Sequence, residues 1–383
     1  MLETETISLA EAEALITRVL GAQRVPEATA ASVARALVAA EAEGQSGHGF
    51  SRLEDYVAQV RSGKIRAAAE ITSRKTSQTG LRTDAGFGFA YPALDRAIDW
   101  GARVARSYGT ATMSVMNSHH CGALSVQVEK LAARGLIAIM VANAPPAIAP
   151  WGARTPIFGT NPIAFAAPRG DGPPLVIDLS LSKVARGKVM HARKSGRPIP
   201  EGWALDAEGA PTTDPEAALA GSMLPIGEAK GTALALMVEI LAATLTGANQ
   251  SPEVSSFFDA EGPPPGAGQF LLAIRPDNDT AFAARLDRLL STIDALEGSR
   301  LPGSRRIAAL ATTSAARCTA RRGPAADPTA DLARAQGALG WLRAHTGAAR
   351  GLIFAPGTVP AGAVQALAEA GFRQRITFPA GGA

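Results

Sequence analysis

The chain has 383 residues, 46% apolar and 19% charged, enough to bury a sizeable core and too apolar for a wholly disordered protein. Its net charge is +4, and aromatics make up only 5%, which argues against an aromatic platform for nucleic acid. The two cysteines, Cys121 and Cys318, cannot build a disulfide framework, which points to a reducing compartment such as the cytoplasm. The first residues are acidic, with neither the basic nor the apolar part of a signal peptide.

Ser8 and Glu11 form a capping box that opens a helix over 8–20, with Leu9, Leu15, Ile16, Val19 and Leu20 on one face. Pro26 suits the first turn of a second helix over 26–43. The glycine-rich stretch GQSGHGF reads as a loop, and a third helix follows over 51–62 with Leu53, Tyr56, Val57 and Val60 apolar. The character then changes. Strands are expected at 110–116, 136–141, 163–167, 175–178 and 269–274, and helices at 123–133, 183–194, 230–245 and 282–296. Residues 199–225 are rich in turn formers. The 230–245 run is the longest apolar stretch, and Glu239 interrupts it, as in a core helix rather than a membrane span. From Leu301 onward there is no Lys, and ten Arg face only Asp327, Asp331 and Glu369. That tail shows no clear strand–helix alternation before Trp341 and fits either an added helical appendage or a stretch without a packed role. The expected division is a helical segment at 1–75, an α/β body at 76–300 and a divergent Ala/Arg-rich tail at 301–383.

No GxGxxG, Walker A, HExxH, CxxC or GxSxG motif is present. AGFGFAYP comes closest to the dinucleotide fingerprint, but its third glycine is missing and no strand–turn–helix setting is expected around it. Histidines therefore carry the chemistry. His48 lies where the glycine loop meets a helix, and Arg52 follows four residues later. A guanidinium takes a carboxylate as a bidentate pair, while an imidazole gives a proton to a carbonyl oxygen. A loop histidine beside a surface arginine is the simpler alternative on spacing alone. NSHHCGA ends a strand and precedes a helix, where α/β proteins place polar ligand contacts. FGTNPIAFAAP offers Thr160 and Asn161 in a turn, IDLSLSKVARGK offers Asp178, Ser180 and Ser182 at a strand end, and LPIGEAKG sets Lys230 at the foot of the apolar helix.

Together these stretches resemble the type-2 malate/L-lactate dehydrogenase family, the sulfolactate dehydrogenase-like oxidoreductases. GHGFSRLEDYVAQVRSGKI, NSHHCGALSVQVEKLAARGLIAIMVANAP, LVIDLSLSKVARGK and LPIGEAKGTALALMVEILAATLTGA carry the resemblance, which runs in order over about residues 5–306. It implies a mixed α/β fold that binds NAD or NADP on a non-Rossmann domain, joined by a smaller helical N-terminal segment, in a homodimer. It implies His48 as proton donor and acceptor, Arg52 as carboxylate anchor and His120 near substrate and nicotinamide. It places Thr160, Asn161, Asp178, Ser180, Ser182, Lys230 and Gly303 on the cofactor side. No metal, nucleic acid or membrane is implied. The substrate it implies is a 2-oxo acid and its 2-hydroxy acid: 3-sulfolactate first, then malate or lactate. Reduction of Δ1-piperideine- or Δ1-pyrroline-2-carboxylate is the main alternative, and a non-catalytic dinucleotide-binding protein the alternative of another class. The chain departs from the family's pattern at Gly47, where many members have Ser, at Glu228, where many have Gly, and at Ser304 and Arg305. After Arg306 nothing matches.

Overall fold

A computed structural model describes residues 7–170, 172–297, 299, 301–303, 329–338, 340–343, 350–353, 360 and 362–370. Ser304, Arg305 and Arg306, and with them two of the departures, lie outside the described residues, as does Cys318.

The chain opens with three helices, α1 (Leu9–Gly21), α2 (Glu27–Ala42) and α3 (Leu53–Ser62). The capping box of Ser8 and Glu11 is present: Glu11 N donates to Ser8 Oγ at 3.2 Å, and Ser8 N donates to Glu11 Oε2 at 2.7 Å. Between α2 and α3 the backbone makes two tight helical turns, Ser46–His48 and Phe50–Arg52. Leu20, Val33, Leu37 and Tyr56 from these helices bury one core, and Phe89 and Tyr91 close it.

The body is a seven-stranded mixed sheet in the order β1–β2–β3–β10–β4–β5–β6. Its strands are β1 (Thr72–Lys75), β2 (Gly80–Asp84), β3 (Thr110–Ser118), β4 (Ile137–Ala142), β5 (Ile163–Ala167), β6 (Leu175–Leu179) and β10 (Ala267–Ile274). Only β2 and β3 run parallel, and they are joined by α4 (Ala90–Tyr108). One face packs α4 and α5 (Leu124–Ala132): Leu94, Ile98, Val128 and Leu131 meet Met113, Val115, Met140 and Leu271. The opposite face packs α8 (Ala229–Glu239), whose Ala235 and Val238 join Val141, Ile163 and Phe270. The sheet is thus the middle of three layers. α6 (Arg186–Lys194) begins three residues after the expected start. The turn-rich region folds into a small sheet, β7 (Ala204–Leu205), β8 (Pro211–Thr212) and β9 (Ser222–Met223), with α7 (Pro215–Ala220). After α8 the helix widens by one residue per turn over Ile240–Thr244. α9 (Asp279–Asp294) follows β10. In the tail, α10 (Thr329–Ala335) precedes an antiparallel pair, β11 (Gly340–Arg343) and β12 (Arg350–Ile353), and then α11 (Ala363–Glu369). Trp341 packs against Ala333.

One expectation is corrected. AGFGFAYP does lie in a strand–turn–helix setting, between β2 and α4. Its glycines nonetheless make room for protein rather than for a phosphate. A Cβ at Gly86 would sit 2.8 Å from the Glu70 carbonyl, and one at Gly88 would sit 2.6 Å from the Ala69 Cβ.

Glu228 is strained. It caps α8 at φ 58° and ψ −126°, a region that only glycine occupies without cost. Relieving such a conformation is worth about 1–3 kcal/mol, so Glu228→Gly should raise the unfolding free energy by ~1 kcal/mol after the added chain entropy of glycine. Urea unfolding of the two proteins checks this.

Candidate active site

His48 ends the first tight turn, and Arg52 ends the second and caps α3. Glu41 of α2 fixes the turn between them by accepting Phe50 N at 2.9 Å. Gly47 faces open space, so a serine would fit there without a clash. The other half of the site comes from the end of β3. At that end β3 pairs with β10 across a bulge: Ala267 faces Ser118, and Gln269 faces Val115. Asn143 accepts Gly268 N at 2.8 Å and holds the bulge open. The chain then leaves the strand as His119 and His120.

The two elements meet at the imidazoles. His48 Nδ1 and His120 Nε2 are 3.1 Å apart, with the rings nearly parallel at 12°. Tyr56 Oη is 2.7 Å from His120 Nδ1 and 2.8 Å from Tyr91 Oη. Arg52 is buried below them. Its Nη1 pairs with Asp55 at 2.9 Å, its Nη2 donates to the Phe257 carbonyl at 2.5 Å, and Phe258 stacks on its face at 4.4 Å. Its Nε is buried without a partner among the described residues. The segment that supplies Phe257 is fastened to α3 by Gln59, which donates to the Phe257 and Asp259 carbonyls, and by Lys64. The Lys64 ammonium donates to the carbonyls of Ser256, Asp259 and Glu261 at 2.8–2.9 Å.

This setting holds the histidines neutral. Burial, then the Arg52 charge, lowers His48 to about 4. Solvent still reaches one side of His48, so the burial share of its shift is softer than for its neighbours. His120 is pushed well below its usual range by burial and then by Arg52. His119, fully enclosed with both ring nitrogens unpartnered among the described residues, falls to about 3 through burial, then Arg52 and Lys64. Its folded value lies below the ~6.5 of an unfolded chain, so its share of stability is whole above pH ~6.5 and is lost as pH falls toward 3. His119→Leu should therefore gain on the parent protein as pH drops. The gap in melting temperature between the two, taken at pH 7 and pH 4.5, reads this directly.

The residues expected on the cofactor side lie on adjoining segments. Leu181 N donates to the Thr160 carbonyl at 2.8 Å, and Ile226 N donates to the Leu181 carbonyl at 2.8 Å. This lays the Thr160 turn, the Ser180–Ser182 loop and the approach to α8 side by side. Ser180 and Ser182 share a hydroxyl contact of 3.2 Å. Lys230 stands exposed in the first turn of α8. Gly303 packs against β6, where a Cβ would come within 2.9 Å of the Val176 carbonyl. Asp178 joins this patch to the histidines: its Oδ2 accepts Ser125 N at 2.7 Å, in the first turn of the helix that His120 leads into. Burial raises its pKa, and the Ser125 hydrogen bond works against that.

Asn161 turns inward instead. Its Nδ2 donates to the Ala235 carbonyl at 3.0 Å and to Glu239 Oε2 at 2.9 Å, and Glu239 also accepts Ser251 N and Oγ. Its Oδ1 is buried without a partner among the described residues. Removing the Nδ2 donor strands part of a buried carboxylate, so Asn161→Ala should cost ~2–3 kcal/mol of unfolding free energy. Denaturant unfolding measures it.

From sequence, Tyr56 belongs only to an apolar helix face, although its i+4 spacing from Arg52 marks it as a neighbour of the site. Phe257 and Phe258 lie some 200 residues away and carry no local signal of their position.

The profile of one family, described as malate/L-lactate dehydrogenase, matches residues 7–317. A (2R)-3-sulfolactate dehydrogenase (NADP(+)) of Chromohalobacter salexigens is 50% identical over 301 residues, covering 78% of this chain and 90% of that protein. A Δ1-pyrroline-2-carboxylate/Δ1-piperideine-2-carboxylate reductase of Pseudomonas putida is 39% identical over 307 residues, covering 78% and 89%. Among solved structures, the Δ1-piperideine-2-carboxylate reductase of Pseudomonas syringae superposes with a TM-score of 0.77 at 38% identity, covering 87% of this chain and 99% of that one. The sulfolactate dehydrogenase of Methanocaldococcus jannaschii superposes with a TM-score of 0.71 at 31% identity, covering 77% and 86%.

Proposed function

The chain belongs to the malate/L-lactate dehydrogenase family, and from that premise we propose that it is an NAD(P)-dependent dehydrogenase interconverting 3-sulfolactate and sulfopyruvate. The observation that carries this reading is the buried Arg52 beneath the His48–His120 pair, in a chain half identical to a sulfolactate dehydrogenase that uses NADP(+).

Arg52 anchors the substrate carboxylate, with its unpartnered Nε as the donor left over by the protein. The anion offsets the guanidinium charge that helps to hold His48 low, so His48 gains basicity as substrate binds. His48 takes up a proton from solvent as substrate binds and, as imidazolium, gives one to the carbonyl oxygen at C2, returning to the neutral imidazole; in the reverse direction the neutral imidazole takes the hydroxyl proton. His120 steadies the His48 ring. Bound nicotinamide supplies or accepts the hydride.

The patch suits a dinucleotide in its own chemistry. An exposed ammonium stands at the foot of a helix whose first amides have no side-chain cap, the Ser180–Ser182 loop is tied to the approach of that helix through Leu181 and Ile226, and the Thr232 hydroxyl is buried without a partner among the described residues. Lys230 and Ser180 would hold the phosphates, with Thr160, Asp178, Ser182 and Gly303 bordering the rest. Asn161 sets the position of α8. Glu228 brings a negative charge to the phosphate end.

The same proposal includes a homodimer in the cytoplasm. Leu234, Met237 and Ile240 form an exposed apolar row along α8 and the turn after it, 41–49% accessible, as expected of a face covered by a second copy. It also keeps the division at 1–75, 76–300 and 301–383. No described helix is long and apolar enough to cross a membrane.

The test is NADH or NADPH oxidation by purified protein with sulfopyruvate, oxaloacetate, pyruvate or Δ1-piperideine-2-carboxylate. Preference for sulfopyruvate supports the reading. Preference for the cyclic imine moves the protein to the second one, which the P. syringae superposition favours.

A further inference from the structure

The four-membered hydrogen-bonded row Tyr91–Tyr56–His120–His48 has two possible directions, and burial distinguishes them. Tyr91 and Tyr56 are almost fully buried, at 1% and 0% accessible. Tyr91 enters from the first turn of α4 and reaches the row only because residue 122 is glycine. A Cβ at Gly122 would lie 2.8 Å from the Tyr91 hydroxyl, and the backbone there has φ +71°. Among the described residues, the Tyr91 hydroxyl meets one hydrogen-bonding group, the Tyr56 hydroxyl. Burial holds both phenols protonated: Tyr56 is raised to about 12, and Tyr91 is raised well above its usual value.

If Tyr91 donates to Tyr56, every buried proton in the row finds an acceptor. Tyr56 then donates to His120 Nδ1, His120 Nε2–H donates to His48 Nδ1, and the one remaining proton sits on His48 Nε2. If the row runs the other way, His48 Nδ1–H donates to His120, His120 Nδ1–H to Tyr56, and Tyr56 to Tyr91. The Tyr91 hydroxyl proton is then buried with no acceptor. Buried donors are rarely left so.

We propose that Tyr91 and Tyr56 are positioning residues that act through His120 to fix the tautomer of His48, so that the ligand-free protein presents Nε2–H of a neutral imidazole outward to the ligand's carbonyl oxygen. The groups facing this row from other elements are Arg52 of the second tight turn, His119 and Cys121 beside His120, and Phe257 from the segment before β10. None of them supplies an acceptor to Tyr91. The inference rests on the reading of His48 as the group that meets the carbonyl, but its test needs no substrate. Failure of the row and failure of the substrate assignment are therefore separable.

The experiment is the two-bond 15N–1H spectrum of the imidazoles in the full-length, ligand-free protein at pH 7.5, with signals assigned from single histidine substitutions. His48 and His120 are both expected as Nε2–H tautomers, each with an acceptor-type Nδ1. A protonated Nδ1 on His120 overturns the proposal. Tyr56→Phe should move the His120 Nδ1 signal to that of an unbonded acceptor and lower kcat on the 2-oxo acid about tenfold, the loss of one oriented hydrogen bond, with the KM for cofactor unchanged. Tyr91→Phe, which keeps the ring and the packing, should shift the same signal less and in the same direction. A His120 spectrum unmoved by both substitutions also overturns it.

Discussion

His48→Ala should lower kcat for the 2-oxo acid by ~10^2- to 10^4-fold, the usual contribution of a positioned acid–base group, with little change in the KM for cofactor. The imidazole lies outermost in the row, held by His120 at 3.1 Å, and is the member of the row most open to solvent. The proposed cofactor patch begins beyond Asp178, and among the described residues no hydrogen bond joins it to His48, which is why cofactor affinity should be spared. The same substitution separates the two substrate readings. A ketone oxygen must receive a proton as hydride arrives, whereas a protonated cyclic imine brings its own. Initial rates of the variant on both substrates decide between them: a collapse on sulfopyruvate alone marks the ketone as the group that His48 serves. An equal collapse on both would assign His48 to binding rather than to proton delivery.

Arg52→Lys should be far from conservative. The guanidinium spreads its donors between Asp55, the Phe257 carbonyl and one unfilled direction, and lies flat beneath Phe258. An ammonium is a point charge on a flexible stem and cannot serve these directions together. Losing one charge-assisted hydrogen bond to a carboxylate costs ~1.5–3 kcal/mol, so the KM for the 2-oxo acid should rise roughly 10- to 100-fold. Because Arg52 is buried and Asp55 is its ion partner, stability should fall as well, by up to ~3 kcal/mol after allowing for the partial exposure of Asp55. Steady-state kinetics and thermal melts on the same preparation give both numbers. An unchanged KM would remove Arg52 from the substrate site.

Much of this site is local in sequence. His48, Arg52 and Tyr56 stand four residues apart along a helical path, and strand β3 ends at the residue before the His119–His120 pair. These positions are legible because periodicity and strand ends are local properties. The placement of Asp178, Ser180 and Ser182 at a strand end is legible for the same reason. What was missed depends on other rules. α4 was not anticipated because alanine and glycine form much of its buried face, with Tyr91, Leu94 and Ile98 spaced among them. Small residues bury well but weigh little in an apolar pattern. β1 reads as polar because it is an exposed edge carrying Arg74 and Lys75, and β2 because Arg82, Thr83 and Asp84 make up three of its five residues. Asn161 fitted a cofactor turn by sequence, and only its contacts with Ala235 and Glu239, more than 70 residues away, show its bond to α8. Distance along the chain, not any lack of chemistry, hid Phe257 from the sequence.

That distance has a consequence for how the protein is made. Lys64, Gln59 and Arg52 each grip carbonyls that are 192 to 205 residues later in the chain. Such contacts have a high contact order and cannot form until the intervening sheet has closed the loop between them. On a ribosome the helices that carry His48 and Arg52 emerge long before the segment that seals Arg52 from water. The nascent N-terminal portion therefore holds His48 and Arg52 without the enclosure that tunes them, and the finished site geometry is among the last features that synthesis completes.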